Sequence, residues 1–214
     1  MKNVAIYGAG GFGRETACLL REINEAFPGT WNFVGFFDDG IPAGTKNSQG
    51  QVLGGIEALN ARNGELALVI AIASPRVIET LVGKITNPNI TFPNIIAPSA
   101  RIMDPATLTI GHGNIINWTC SLSTDTRIGN FNLMNGNVTV GHDVSIGDFN
   151  TFMTGTRIAG ELCIGNRNRF GANCSVYQGI NIGNDTVVGS CSLVVHPTKD
   201  GNTYIGNPAV RFKF

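Results

Sequence analysis

Charge is scarce in this chain. Only 14% of its 214 residues are charged, and 15 basic side chains balance 15 acidic ones. A nucleic-acid-binding protein ordinarily displays a basic patch, so none is expected as a partner. Long hydrophobic runs are also missing. The longest, Leu66 to Ala73, falls far short of the roughly 20 residues that cross a bilayer, which excludes membrane insertion by a helix. Cysteines number five, an odd count without metal-ligand spacing, so neither a disulfide framework nor a cysteine metal site is expected. Met1-Lys2-Asn3 leads straight into an apolar run with no secretory signal pattern, and the expectation is a cytoplasmic protein.

Glycine, by contrast, is plentiful, with 28 residues, and much of it falls on a strict beat. Ile-Gly recurs at Ile110, Ile128, Ile146, Ile164 and Ile182, each 18 residues after the last. Every sixth residue from Ile110 to Val194 is a large apolar one, without a polar interruption. A helix needs apolar spacing of three to four and a strand needs two, so a period of six fits neither. Hexapeptide periodicity is the mark of a parallel β-helix. Three hexads make one triangular coil of 18 residues, and coils stack at the strand spacing of roughly 4.8 Å. Asn114, Asn132, Asn150 and Asn168, with Thr186 next, share the same 18-residue interval. They are expected to stack at one inner corner, each amide bonding the next, which offsets the cost of burying it. Cys120 and Cys174 fall on small inward positions.

The first part of the chain has another pattern. Val4 to Tyr7 reads as a strand, Gly8-Ala9-Gly10-Gly11-Phe12-Gly13 as a turn, and Arg14 to about Ala26 as a helix. Strand, glycine turn and helix cradle phosphates, because glycine admits a close ligand and the helix N-terminus offers unpaired N–H groups. Phe33 to Phe37 reads as a second strand ending in Asp38-Asp39, whose carboxylates can accept bonds from a ribose or a base. The bland alternative is a tight turn without a ligand. Ala67 to Ala73 is a buried strand, Ser74 and Pro75 open a helix to about Ile85, and Ile90 to Ile96 is a last strand. Ninety residues hold one half of a doubly wound fold; a whole dinucleotide domain needs two.

Only three histidines exist. His142, in Gly141-His142-Asp143, falls on a solvent corner, and the residue one coil above it is Gly160. An imidazole facing a position without a side chain, with a carboxylate beside it, suits a general base. It equally suits an exposed corner histidine with no role. His196 shares that column three coils away, about 14 Å at the stacking distance, and His112 is on another corner. No zinc triad within one chain follows, and no metal is expected.

These motifs together resemble the bacterial sugar acetyltransferases of the NeuD/PglD type, the sialic acid O-acetyltransferases and nucleotide-4-amino-sugar N-acetyltransferases. The resemblance runs from Ile6-Tyr7-Gly8-Ala9-Gly10-Gly11-Phe12-Gly13 through Phe37-Asp38-Asp39 and Gly141-His142-Asp143 to Gly206-Asn207-Pro208-Ala209. It implies an α/β half-Rossmann domain over residues 1–94, followed by a left-handed parallel β-helix over 95–214. It implies a homotrimer of prisms with acetyl-CoA between adjacent chains. It further implies His142 as base, Asp143 tuning it, acetyl-CoA contacts at Thr151, Gly160, Ala172 and Ser190, and a nucleotide-linked sugar at Gly10, Gly11, Phe12, Asp38, Asp39, Ala73 and Ser74. Thr151 stands where some members have a second histidine, and Ser74 where the amino-sugar enzymes have an asparagine.

The expected reaction is direct acetyl transfer to the amine of a nucleotide-linked 4-amino-dideoxy sugar in surface glycan biosynthesis. O-Acetylation of sialic acid or another sugar is the alternative. Two other classes remain: a nicotinamide-dependent oxidoreductase, argued from the glycine turn, and a non-enzymatic nucleotide-binding trimeric scaffold.

Overall fold

The computed structural model describes residues 1–212. The chain divides into two compact units, Met1–Pro98 and Ser99–Phe214.

The first unit is a five-stranded sheet with helices. Its elements are β1 (Lys2–Tyr7), α1 (Gly11–Ala26), β2 (Trp31–Phe37), β3 (Val52–Gly54), α2 (Ile56–Asn60), β4 (Leu66–Ile70), α3 (Pro75–Lys84) and β5 (Ile90–Thr91). The order is β3-β2-β1-β4-β5 and every pairing is parallel. Val4, Ala5, Ile6 and Leu68 have no exposed surface, as central strands covered on both faces require. Helix α1 buries Ala17, Leu19, Leu20 and Ile23, the stripe that its 3–4 spacing lays on one face.

Three expectations are corrected. β3 is a strand that the sequence reading passed over. Ile90 to Ile96 is broken into Ile90–Thr91 and Ile95–Ile96, because Pro93 between them has no N–H for a ladder. Ser74 occupies the N-cap position of α3, but its side chain makes no capping bond.

Helix α1 begins at Gly11, three residues earlier than its apolar pattern, so the glycine turn forms its first turn. Gly13 has a packing reason: a Cβ there would lie 1.8 Å from the Gly8 carbonyl oxygen. Gly10 and Gly11 have none, since a Cβ on either would meet nothing within 4 Å.

The second unit is a parallel β-helix. Between Thr109 and Val194 its ladder partners are 18 residues apart, as in Leu122↔Val140, Ile128↔Ile146 and Met134↔Phe152. The beat residues point inward and are buried from Ile116 to Val194, each contributing about 1.5–3 kcal/mol. Corners are turned by left-handed residues at six-residue intervals, among them Asp125, Phe131, Asn137, Asp143 and Phe149, with φ from 53° to 62°. That conformation is uncommon for residues other than glycine, and the stacked ladders hold it.

The inner asparagines form the expected ladder. Asn132 Nδ2 donates to Asn114 Oδ1 at 3.1 Å, and Asn150 Nδ2 to Asn132 Oδ1 at 3.0 Å. Each spare N–H reaches a carbonyl, as Asn132 does at Gly147. Asn168 Nδ2 ends the run without a partner, where Thr186 replaces the next amide. Removing the middle rung strands the Asn150 backbone N–H and the Gly147 carbonyl, while the Asn114 oxygen keeps only the Asn132 backbone N–H. Asn132→Ala is expected to cost at least about 1–3 kcal/mol, read as a lower denaturant midpoint; an unchanged midpoint would mean that the ladder contributes nothing. A second ladder runs along an outer corner through Asn130, Asp148, Asn166, Asn184 and Asp200, each oxygen accepting the backbone N–H of the residue below.

After Val194 the chain forms an antiparallel hairpin, Thr203–Gly206 with Ala209–Phe212, through a cis Asn207-Pro208 bond. Thr203 and Tyr204 continue the ladder from Val187 and Val188, so residues that read as a tail extend one wall of the prism.

Candidate active site

On the prism, the strand Thr139–Val140 runs out at Gly141 and the next, Val144–Ile146, begins after Asp143. His142 and Asp143 therefore occupy a corner. Neighbouring side chains on an extended chain point apart. Here the left-handed backbone of Asp143, φ 56°, turns its carboxylate back, and Oδ2 lies 2.8 Å from His142 Nδ1. The bond fixes Nδ1–H as the donor and leaves Nε2 with its lone pair free. About half of each side chain is exposed, 49% and 61%. The Asp143 bond raises the imidazole pKa, desolvation opposes it without cancelling it, and the charges of Asp143, Glu161 and Asp125 add to the rise.

The ring leans over the coil above. A Cβ on Gly160 would lie 2.8 Å from His142 Nε2 and 2.9 Å from Cε1. The space beside Gly160 is thus filled by the imidazole itself. Among the described residues nothing accepts from the Gly160 N–H. Ala172 and Ser190 stack on a different corner, where Cys191 N–H donates to the Ala172 carbonyl. Thr151 is enclosed, in one outward column with buried Ile115 and Leu133, and its hydroxyl has no partner. Within the single chain it presents no surface, unlike half-buried Ala172 and exposed Ser190.

No cysteine adjoins His142. Burial pushes the Cys120 and Cys174 thiols up to about 11, so both stay protonated and neither is a nucleophile. Among the described residues no three histidine, cysteine or acidic side chains group as metal ligands. No helix among them is long and apolar enough to cross a membrane.

In the first unit, a cleft of about 430 Å³ opens at the strand ends of β1 and β2, beside α3. Its walls include Tyr7, Asp38, Asp39, Ile72, Arg76 and Lys84. Asp38 is committed to the backbone: Oδ2 accepts Ala9 N–H and Oδ1 accepts Gly40 N–H, both at 2.8 Å. It therefore braces the glycine turn. Asp39 Oδ1 accepts the N–H of Ile56, the first residue of α2, and the carboxylate lies beside the Tyr7 hydroxyl. The Tyr7 hydroxyl, buried in the cleft wall, has no hydrogen-bond partner. Burial raises its pKa strongly, and nearby Asp39 and Asp38 push the same way.

Of the residues expected to hold a nucleotide-linked sugar, Asp38 and Asp39 line this cleft. Gly10, Gly11, Phe12, Ala73 and Ser74 do not. Gly10 and Gly11 lie exposed at the N-terminus of α1, and Ser74 is exposed at that of α3. The sequence reading missed Tyr7, Arg76 and Lys84. Tyr7 carries a signal, as the only polar side chain in the run that enters the glycine turn; Arg76 and Lys84 carry none.

Residues 3–85 match the family described as the PglD N-terminal domain. No curated protein matches the chain. Among solved structures, a mutant of perosamine N-acetyltransferase from Caulobacter crescentus, in complex with CoA and GDP-perosamine, is 25% identical. The alignment covers 100% of this chain and 98% of that one, with a TM-score of 0.89. WeeI from Acinetobacter baumannii AYE is 28% identical over 99% of this chain and 100% of that one, with a TM-score of 0.88. The acetyltransferase domain of PglB from Neisseria gonorrhoeae FA1090 shares the fold, at 24% identity, a TM-score of 0.89, and coverage of 99% and 100%. With a PglD-type N-terminal domain over residues 3–85 and end-to-end similarity to nucleotide-sugar acetyltransferases of this kind, the chain is an acyltransferase similar to those of the PglD type.

Proposed function

We propose that the chain transfers an acetyl group from acetyl-CoA to the amine of a nucleotide-linked 4-amino-dideoxy sugar, in bacterial surface glycan biosynthesis. The observation that carries this reading is the His142–Asp143 pair, with Nδ1 tied at 2.8 Å and Nε2 free. The acceptor amine attacks the thioester carbon, and Nε2 takes its proton as the bond forms. The negative charge that develops on the thioester oxygen needs a donor, and the unpaired Gly160 N–H beside the imidazole suits that role. The C–S bond then breaks, the departing sulfur takes the proton from the His142 imidazolium, and coenzyme A leaves as the thiol. Transfer is direct, since no protonated buried thiol or remote cysteine offers a covalent relay.

The co-substrate reading draws on the Caulobacter enzyme, whose complex holds CoA and GDP-perosamine. Acetyl-CoA would lie along Gly160, Ala172 and Ser190. Thr151 joins them only if a ligand or a neighbouring chain opens its enclosed position. The cleft at Tyr7 and Asp39 would take the nucleotide, its apolar wall at Ile72 packing on a base, with the N-terminus of α1 at Gly10, Gly11 and Phe12 receiving phosphate. Ala73 and Ser74, at the end of the β4 segment, would meet the remainder of that ligand. The working assembly is a homotrimer, with each acetyl-CoA site between two chains.

The test is thiol release from acetyl-CoA against UDP- and dTDP-linked 4-amino-4,6-dideoxy sugars, GDP-perosamine and free sialic acid. Release with one nucleotide-linked amine is the expected result. Release with sialic acid alone would replace the amine by a hydroxyl acceptor and remove the nucleotide from the cleft. Silence throughout, without acetyl-CoA binding, would sink the transferase reading in favour of a scaffold.

A further inference from the structure

Three carboxylates stack on one corner of the prism. Asp125, Asp143 and Glu161 are spaced by one coil each and share the left-handed backbone, with φ of 55°, 56° and 60°. Asp143 is the one bonded to the imidazole. Glu161 sits one coil above it, and its N–H donates to the His142 carbonyl at 2.9 Å. Its Oε1 accepts a bond from Gln178 Nε2 at 3.0 Å.

Gln178 belongs to the His142 column, two coils up, with Gly160 between them. At the level of Gly160 that column carries no side chain. The imidazole fills the space from below, and Gln178 reaches across from above to the neighbouring column. Glu161 and Gln178 are both exposed. An exposed amide–carboxylate bond does little for stability, and the coils are already joined by backbone bonds such as Gly179 N–H to the Gly160 carbonyl. What the pair does accomplish is to restrain a second carboxylate in the column next to His142, one coil above it.

We propose that Glu161, held by Gln178, is a positioning residue for acetyl transfer: it flanks the His142 imidazole from the coil above, as Asp143 does from its own coil. The inference rests on the reading of His142 as the base. When Nε2 takes the proton of the acceptor amine, the ring becomes an imidazolium, and two carboxylates then stabilise that charge. The charged groups bearing on the ring are Asp143, Glu161 and Asp125, all acidic, and all push toward the protonated form, with the Asp143 bond foremost.

The experiment is an NMR titration of the imidazole protons, with His112 and His196 as internal controls and His142→Asn to assign the signal, run beside kcat/KM against pH. Glu161→Gln is expected to lower the His142 midpoint and leave the other two in place. The acid limb of kcat/KM moves down with it, and the alkaline plateau falls by less than about tenfold, well short of losing the base. Gln178→Ala shifts the midpoint in the same direction by less, and Glu161→Asp restores part of it. An unmoved His142 midpoint in Glu161→Gln overturns the proposal, whatever happens to the rate. A midpoint that moves while the acid limb stays would take His142 out of proton transfer; that outcome overturns the base reading and the role of Glu161 with it.

Discussion

His142→Ala lowers kcat/KM by about 10²–10⁴, the usual contribution of a positioned general base. The loss falls on kcat, because in the proposed reaction the imidazole acts on the proton that moves in the transition state and not on either bound substrate. Affinity for acetyl-CoA is therefore retained. Thiol release measured at saturating acetyl-CoA and varied acceptor separates the two effects. A rate within about threefold of the parent would remove His142 from the reaction, and with it the mechanism.

The pH dependence follows from the same geometry. Only the neutral imidazole can accept a proton, so kcat/KM rises with pH through the pKa of the free enzyme. The carboxylate on Nδ1 raises that pKa above the ordinary 6.5, and the acid limb lies correspondingly higher. Below the limb the ring is protonated, and Asp143 holds it as an inert ion pair. The same bond that makes Nε2 a better base thus removes more of it at neutral pH, and the compromise is set by the exposure of the pair.

How much of this the sequence could disclose varied with how each feature is built. The prism was legible because its coils repeat one inward position, so that period six survives any variation outside. The Asn114–Asn168 ladder was legible for the same reason. The outer ladder escaped notice, because it mixes asparagine with aspartate and its last step, Asn184 to Asp200, is shorter than a coil. In the first unit, long elements such as α1 announced themselves. A three-residue strand such as Val52–Gly54 has too few positions to show alternation. Near the site, the pairing of His142 with Asp143 followed from adjacency only once the corner was known to be left-handed. The commitment of Asp38 to Ala9 and Gly40 could not be read at all, since it depends on how two loops meet. Thr151 illustrates the converse: a hexad assigns it an outward position, and the outward face is covered there.

Gly160 offers the sharpest separation of activity from folding. Its backbone is not in the left-handed region, so alanine brings no conformational strain at that position. The added methyl would lie 2.8 Å from His142 Nε2, 2.9 Å from Cε1 and 3.1 Å from Cδ2. Contacts that short do not persist. The obstructing atoms belong to an exposed side chain that can swing outward, so the fold concedes little and the unfolding temperature stays near that of the parent. The imidazole bears the whole displacement, either breaking its bond to Asp143 or turning Nε2 from the acceptor. A misplacement of about 1 Å costs on the order of 10²-fold, and Gly160→Ala is expected to lose that much in kcat. Gly160 is also a proposed acetyl-CoA contact, so the variant is compared with His142→Ala and with the double substitution. If alanine acts through the ring, the double variant is no slower than His142→Ala alone, because the displaced group is already gone. Losses that multiply would assign Gly160 to the acetyl-CoA path instead, and full activity in the single variant would mean that the imidazole does its work from somewhere other than the seat it occupies.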